Sequence, residues 1–147
     1  MDFKTIEIEE FNVTGLSVRT KNEEGKAQKD IADLFGKLIG EDLLDKIPGK
    51  LTYEIYCVYT DYESDCNGEY TVIVGCKTEN LKDIPQGFTG VTIPKNSYRH
   101  YKIAGGGNEN VAQAWKEIWA DGADRTYAAD FDVYGENPDV DIYVSVK

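Results

Sequence analysis

Between residues 27 and 45 apolar side chains recur at helical spacing. Ala27, Ile31, Leu34, Phe35 and Leu38 fall in one stripe, and Pro48-Gly49 is the expected stop. A second stripe, Val111, Ala114, Trp115, Ile118 and Trp119, predicts a helix over about 109–120, with Asn110 and Gln113 at capping-box spacing near its start. Elsewhere the period is two. The alternation predicts one or two strands in 3–20, broken near Thr14-Gly15. Further strands follow over 51–59, 69–77, 88–93, 98–103, 125–134 and 140–146, with a polar turn over 61–68.

The order is strands, helix, hairpin, and then the same again. Ile31-Ala32 and Phe35 match Val111-Ala112 and Trp115 at an offset of 80 residues. Tyr56-Cys57-Val58-Tyr59 matches Phe131-Asp132-Val133-Tyr134 at 75, and Val72, Val74 and Lys77 match Ile142, Val144 and Lys147 at 70. Matches in one order across the chain indicate a duplicated unit, with halves of about 3–77 and 86–146 related by a pseudo-twofold axis. Neither half has enough apolar residues for a core of its own. The expectation is one domain over 1–147 with an α+β fold.

Composition narrows the function classes. The net charge of −11 includes no basic stripe, which argues against direct nucleic-acid binding. The N-terminus has no apolar signal core, and the longest apolar run, Val72–Cys76 in extent, is too short to span a bilayer, so a cytoplasmic protein without membrane contact is expected. Cys57, Cys66 and Cys76 form no CxxC pair, and His100 is the sole histidine; no metal, no cofactor and reduced thiols are expected. Cys66 lies in the polar turn, where exposure and oxidation are expected. Gly105-Gly106-Gly107 precedes a helix but lacks phosphate-loop spacing, and His100 has no triad pattern around it.

Several runs carry a family resemblance: Val13-Thr14-Gly15-Leu16-Ser17-Val18-Arg19-Thr20, Tyr59-Thr60-Asp61-Tyr62-Glu63-Ser64-Asp65, Gly68-Glu69-Tyr70-Thr71-Val72, Gly75-Cys76, Ala114-Trp115-Lys116-Glu117-Ile118-Trp119 and Asp130-Phe131-Asp132-Val133-Tyr134. Together they resemble the GyrI-like, or effector-binding, domain family, especially its stand-alone integron-associated members. The resemblance implies tandem strand–helix–strand–strand modules that form one curved antiparallel sheet with two helices on one face. It also implies a pocket between the halves for hydrophobic, often cationic, organic compounds. Some members of that family sit behind DNA-binding domains in transcription regulators, and others open strained cyclopropane rings in DNA-alkylating natural products. Where the family usually has Glu in the Asp-Phe-Glu-Val-Tyr run, this chain has Asp132, one methylene shorter.

Asp132 is the first candidate ligand contact, because a carboxylate in an aromatic, partly dry pocket pairs strongly with a cation. Its repeat mate Cys57 alternates with Ile55 and Tyr59, which puts Asp132 on the inward face and sends Phe131 and Val133 away from it. Asp130 shares that face and is expected to be solvated at the strand end. Trp115 and Trp119, four apart on one helix face, are expected to divide between core and pocket edge. Phe35 is the repeat mate of Trp115, and Tyr59 and Tyr134 are mates able to present hydroxyls to a ligand. Catalytic residues are not assigned. The expected function is binding of amphipathic, cationic organic compounds, for sensing, sequestration or supply to a partner regulator protein. The alternatives are a hydrolase of electrophilic, cyclopropane-type natural products that uses the same pocket, and a protein-binding module of the gyrase-inhibiting kind.

Overall fold

Runs rich in valine, isoleucine and tyrosine form eight strands in the computed structural model, which describes residues 2–23, 25–64, 68–120, 125–135 and 138–147. In chain order the elements are β1 (Lys4–Ile8), β2 (Phe11–Lys21), α1 (Lys26–Gly40), β3 (Ile55–Thr60), β4 (Glu69–Thr78), β5 (Thr89–Ile93), β6 (Asn96–Ile103), α2 (Asn108–Ala120), β7 (Ala129–Tyr134) and β8 (Val140–Val146). They make one antiparallel sheet in the order β1-β6-β8-β7-β3-β4-β2-β5. Read outward from the central β3–β7 pair, one side runs β4, β2, β5 and the other β8, β6, β1.

This is the α+β fold of two duplicated modules, with an exchange that periodicity did not indicate. β1 precedes the first module yet pairs with β6 of the second, and β5 precedes the second yet pairs with β2 of the first. Each half is therefore closed by a strand from the other. The register sets Cys57 opposite Asp132, two residues that the 75-residue offset interconverts, so the local twofold passes through that pair.

Both helices cover the same face. Ala27, Leu34 and Leu38 of α1 pack with Tyr70, Val72, Val74 and Cys76. Val111, Ala114, Trp115 and Ile118 of α2 pack with Tyr101, Ile103, Ile142 and Val144. Tyr59 and Tyr134 touch both clusters and so lie between the helices. The opposite face is a second core, with Phe11, Val13, Tyr56, Val58, Ile73, Tyr98, Phe131 and Val133 all buried. It closes because the sheet curls. Strands β2 and β7 are separated by β3 and β4, roughly 14 Å in a flat sheet. The rings of Phe11 and Phe131 nevertheless meet at 5.2 Å between centroids. Alternation sends Phe131 and Val133 to this core and Asp130, Asp132 and Tyr134 to the helix side.

Several boundaries differ from the periodicity reading. The break between the first two strands falls at Glu9-Glu10 rather than near Gly15. Gly15 lies inside β2, directly opposite Gly75 of β4. A Cβ on Gly15 would stand 2.1 Å from the Val74 carbonyl oxygen, and one on Gly75 would stand 1.9 Å from that of Thr14. The glycine thus marks a close approach of two backbones, not a turn. Gly15→Ala should destabilise by about 1–3 kcal/mol through forced separation of β2 and β4, read from the urea midpoint; an unchanged midpoint would show that the strands yield freely.

Helix α1 ends at Gly40, before Pro48, and Asp42 then takes φ 53. Strand β3 begins at Ile55 rather than 51, because only Ile55–Thr60 lies opposite β7; Tyr53 is 85% exposed. Likewise β7 begins at Ala129, since Tyr127 takes φ 56 and interrupts the ladder beyond the single Arg125–Val146 bridge. Asn110 lies within α2 and donates its side-chain N–H to the Gly106 carbonyl at 2.7 Å, so it does not cap the helix. Cys57 and Cys76 are buried free thiols, and burial pushes both up. Cys66 lies outside the described residues. Among the described residues no helix is long and apolar enough to cross a membrane.

Candidate functional site

Because the two helices stand on either side of the local twofold, they leave a cleft above β3 and β7. Its volume is about 940 Å³, within the usual range for small-molecule sites. One wall is the apolar stripe of α1, including Ile31 and Phe35, and the other is that of α2, including Val111, Trp115 and Trp119. The floor is Ile55, Tyr59 and Tyr134, and Tyr62, Tyr70 and Arg125 also border it. Gln28, Glu109, Gln113 and Lys116 supply polar groups.

Five of the six candidate residues line this cavity: Phe35, Tyr59, Trp115, Trp119 and Tyr134. Trp115 is buried, with its ring 5.2 Å from that of Tyr59, while Trp119 is 39% exposed and tilted against it at 6.4 Å. Phe35 meets Tyr134 edge-on at 5.2 Å. The two repeat mates on the helices thus contribute to opposite walls, and the two on the strands share the floor.

The sixth, Asp132, lies beneath that floor and is fully buried. Tyr59 donates its hydroxyl to Oδ2 at 2.7 Å, Trp115 donates its indole N–H to Oδ1 at 3.2 Å, and Tyr134 donates to Oδ2 at 3.4 Å. Burial nevertheless dominates and pushes the carboxyl up to about 7, against the lowering effect of the three donors. Burial, reinforced by Asp132, pushes the Tyr59 and Tyr134 phenols far above their ordinary range, so they remain donors. Every group that touches Asp132 in this way also faces the cavity. A charge on the carboxylate is therefore felt through the rings on which a ligand would rest.

Asp130 is also fully buried, which corrects the expectation of a solvated side chain. The Arg125 guanidinium donates Nη2–H to Oδ2, as does the Tyr62 hydroxyl at 2.6 Å; Oδ1 accepts from the backbone N–H of Ser145 at 2.8 Å and from its hydroxyl at 3.0 Å. A carboxylate with a cation and three further donors can be dry, because its lone pairs are all met. The repeat mate of Asp130 at the 75-residue offset is Ile55, so the polar cluster marks only one end of a pseudo-symmetric cleft. Sequence reasoning passed over Tyr62, Tyr70 and Arg125. Alternation did place Asp130 beside Asp132, but nothing in the pattern connects Arg125 to either. Among the described residues no group of His, Cys, Asp and Glu side chains could hold a metal ion.

The family model for Cass2, the integron-associated effector binding protein, matches residues 5–146. YobU of Bacillus subtilis (strain 168), whose name proposes a transcriptional regulator, is 30% identical over 90% of each chain. Among solved structures, an integron cassette protein from the mobile metagenome of Vibrio cholerae superposes with a TM-score of 0.80 at 27% identity, over 99% of this chain and 95% of that one. SAV2435, solved bound to tetraphenylphosphonium, shares the fold with a TM-score of 0.77 at 17% identity, over 100% of this chain and 94% of that one. The matched residues include both helices and both central strands of the cleft, and the chain belongs to the integron-associated effector binding protein family.

Proposed function

We propose that this cleft binds amphipathic organic cations. One observation carries the reading: a buried carboxyl beneath the floor, hydrogen-bonded by Tyr59, Trp115 and Tyr134, which all line the cavity. Hydroxyl and indole donation to a carboxylate leaves the rings richer in negative potential, and aromatic faces already attract cations. Membership in an effector-binding family supports small-molecule binding, and the same fold holds tetraphenylphosphonium in SAV2435. The biological role would be effector sensing, sequestration or delivery to a regulator protein, in a cytoplasmic setting.

Tetraphenylphosphonium is the natural probe, since its charge does not titrate. A cation above the floor favours the carboxylate of Asp132 over the neutral acid. Affinity should therefore rise with pH, by at most about tenfold per unit below 7, and level off above it, with proton release on binding. Calorimetry in buffers of different ionisation heat would read both effects. Affinity that is flat between about pH 5.5 and 8.5 would remove Asp132 from recognition.

A hydrolytic reading draws on the same carboxyl, which at about 7 can exchange a proton near neutral pH, where general acid–base catalysis is efficient. Mass spectrometry of recovered electrophilic ligands separates the two readings. Unchanged mass supports binding, and the gain of one water supports hydrolysis.

A further inference from the structure

Asp130 has no acceptor capacity left. Its two oxygens already take hydrogen bonds from Arg125 Nη2, the Tyr62 hydroxyl, and the amide and hydroxyl of Ser145. The Arg125 side chain is only 4% exposed, and its Nε and Nη1 are buried without a hydrogen-bond partner among the described residues. Those two nitrogens carry three of the five guanidinium N–H groups. The ring of Tyr127 covers one face of the guanidinium at 4.3 Å, and that of Trp115 lies at 5.9 Å. Ring faces do not meet N–H groups that point outward in the guanidinium plane. Buried donors without acceptors are unfavourable, and Arg125 borders the cavity.

We propose that Arg125 is a second recognition point, which donates to an oxygen acceptor on the ligand, with a carboxylate the strongest of its class. The ligand is then amphoteric. Its cationic centre rests on the Tyr59–Trp115–Tyr134 floor, and its acceptor reaches the Arg125 end. This rests on the cation reading above and deepens it. The duplicated fold supplies a reason for one orientation, since the symmetry-related end has Ile55 where this end has Asp130. A ligand that carries both groups would sit one way round in the cleft.

The test compares two dyes with the same cationic ring system: tetramethylrhodamine, which bears a carboxylate, and tetramethylrosamine, which lacks it. Fluorescence titration of the full chain should show tetramethylrhodamine binding about tenfold tighter or more. Arg125→Lys preserves a cation for Asp130 but removes the planar fork, and it should bring the ratio of the two affinities towards one. If that variant does not fold by circular dichroism, the neutral pair Arg125→Gln with Asp130→Asn is read in its place. Equal binding of the two dyes by the wild type, or a preference that survives in the folded variant, overturns the role of Arg125 while leaving the cation reading intact. Binding of tetramethylrhodamine alone is the same preference at its limit and supports the role of Arg125. Binding of neither dye overturns both.

Discussion

Asp130→Ala should destabilise the protein by about 3–5 kcal/mol in urea unfolding at neutral pH, because it leaves the Arg125 cation buried without its counter-ion. Both partners are almost wholly removed from water, with side-chain exposures of 4% and 0%. The same change also takes the acceptor from Tyr62 and from the Ser145 amide and hydroxyl. Replacing both charges, Arg125→Met with Asp130→Leu, should recover a large part of the loss, since the desolvation of the pair disappears with the pair. The two changes share partners and must not be additive. A loss below about 1 kcal/mol for Asp130→Ala would mean that Arg125 swings out to solvent, and Arg125 could not then serve as a fixed donor in the cleft.

Asp132→Asn should weaken tetraphenylphosphonium binding tenfold to a hundredfold at about pH 8, while a neutral analogue, triphenylphosphine oxide, loses little. A cation about 6 Å from the carboxylate, at an effective dielectric of about 20, gains roughly 3 kcal/mol from it. The loss should change little with salt, because the carboxylate is dry. Equal weakening of both probes would indicate a steric effect.

The same substitution should stabilise the free protein at that pH. Asp132 has its carboxyl raised from 3.8 to about 7 by burial. Its contribution to stability is therefore fully present below about pH 4 and is lost as pH rises through about 7. Asn does not ionise, so it avoids a loss of up to about 4 kcal/mol at pH 8, less whatever its amide fails to recover from Tyr59 and Tyr134. Melting temperatures of wild type and variant should diverge as pH rises. Parallel curves would show that the Asp132 carboxyl is as ionised in the folded as in the unfolded chain over that range, and so is not raised by burial.

A gain in stability at the expense of binding is the pattern expected of a residue held for function. The Asp132 carboxyl sits beneath Tyr59 and Tyr134, which donate to it and themselves border the cavity.

Local pattern by itself determined the two helices, most of the strands and their duplicated order. A stripe such as Ala27–Leu38 or Val111–Trp119 has only one way to bury itself, and a period of two has only one pair of faces. It also placed Asp132 on an inward face, because its repeat mate Cys57 alternates with Ile55 and Tyr59; that this is the helix-covered face of a sheet buried on both sides came from the fold. What it could not determine was anything that depended on a partner distant in the chain. Gly15 looks like a break until Gly75 is set opposite it. The exchange of β1 and β5 between halves follows from long-range pairing, which leaves no local period. Asp130 looks like a strand-end surface residue until Arg125 and the Ser145 amide of β8 converge on it. The raised carboxyl of Asp132 likewise follows from burial by β3, β7 and α2 together. Burial and acceptor capacity belong to places in the fold, and a place exists only once strands distant in the chain have come side by side.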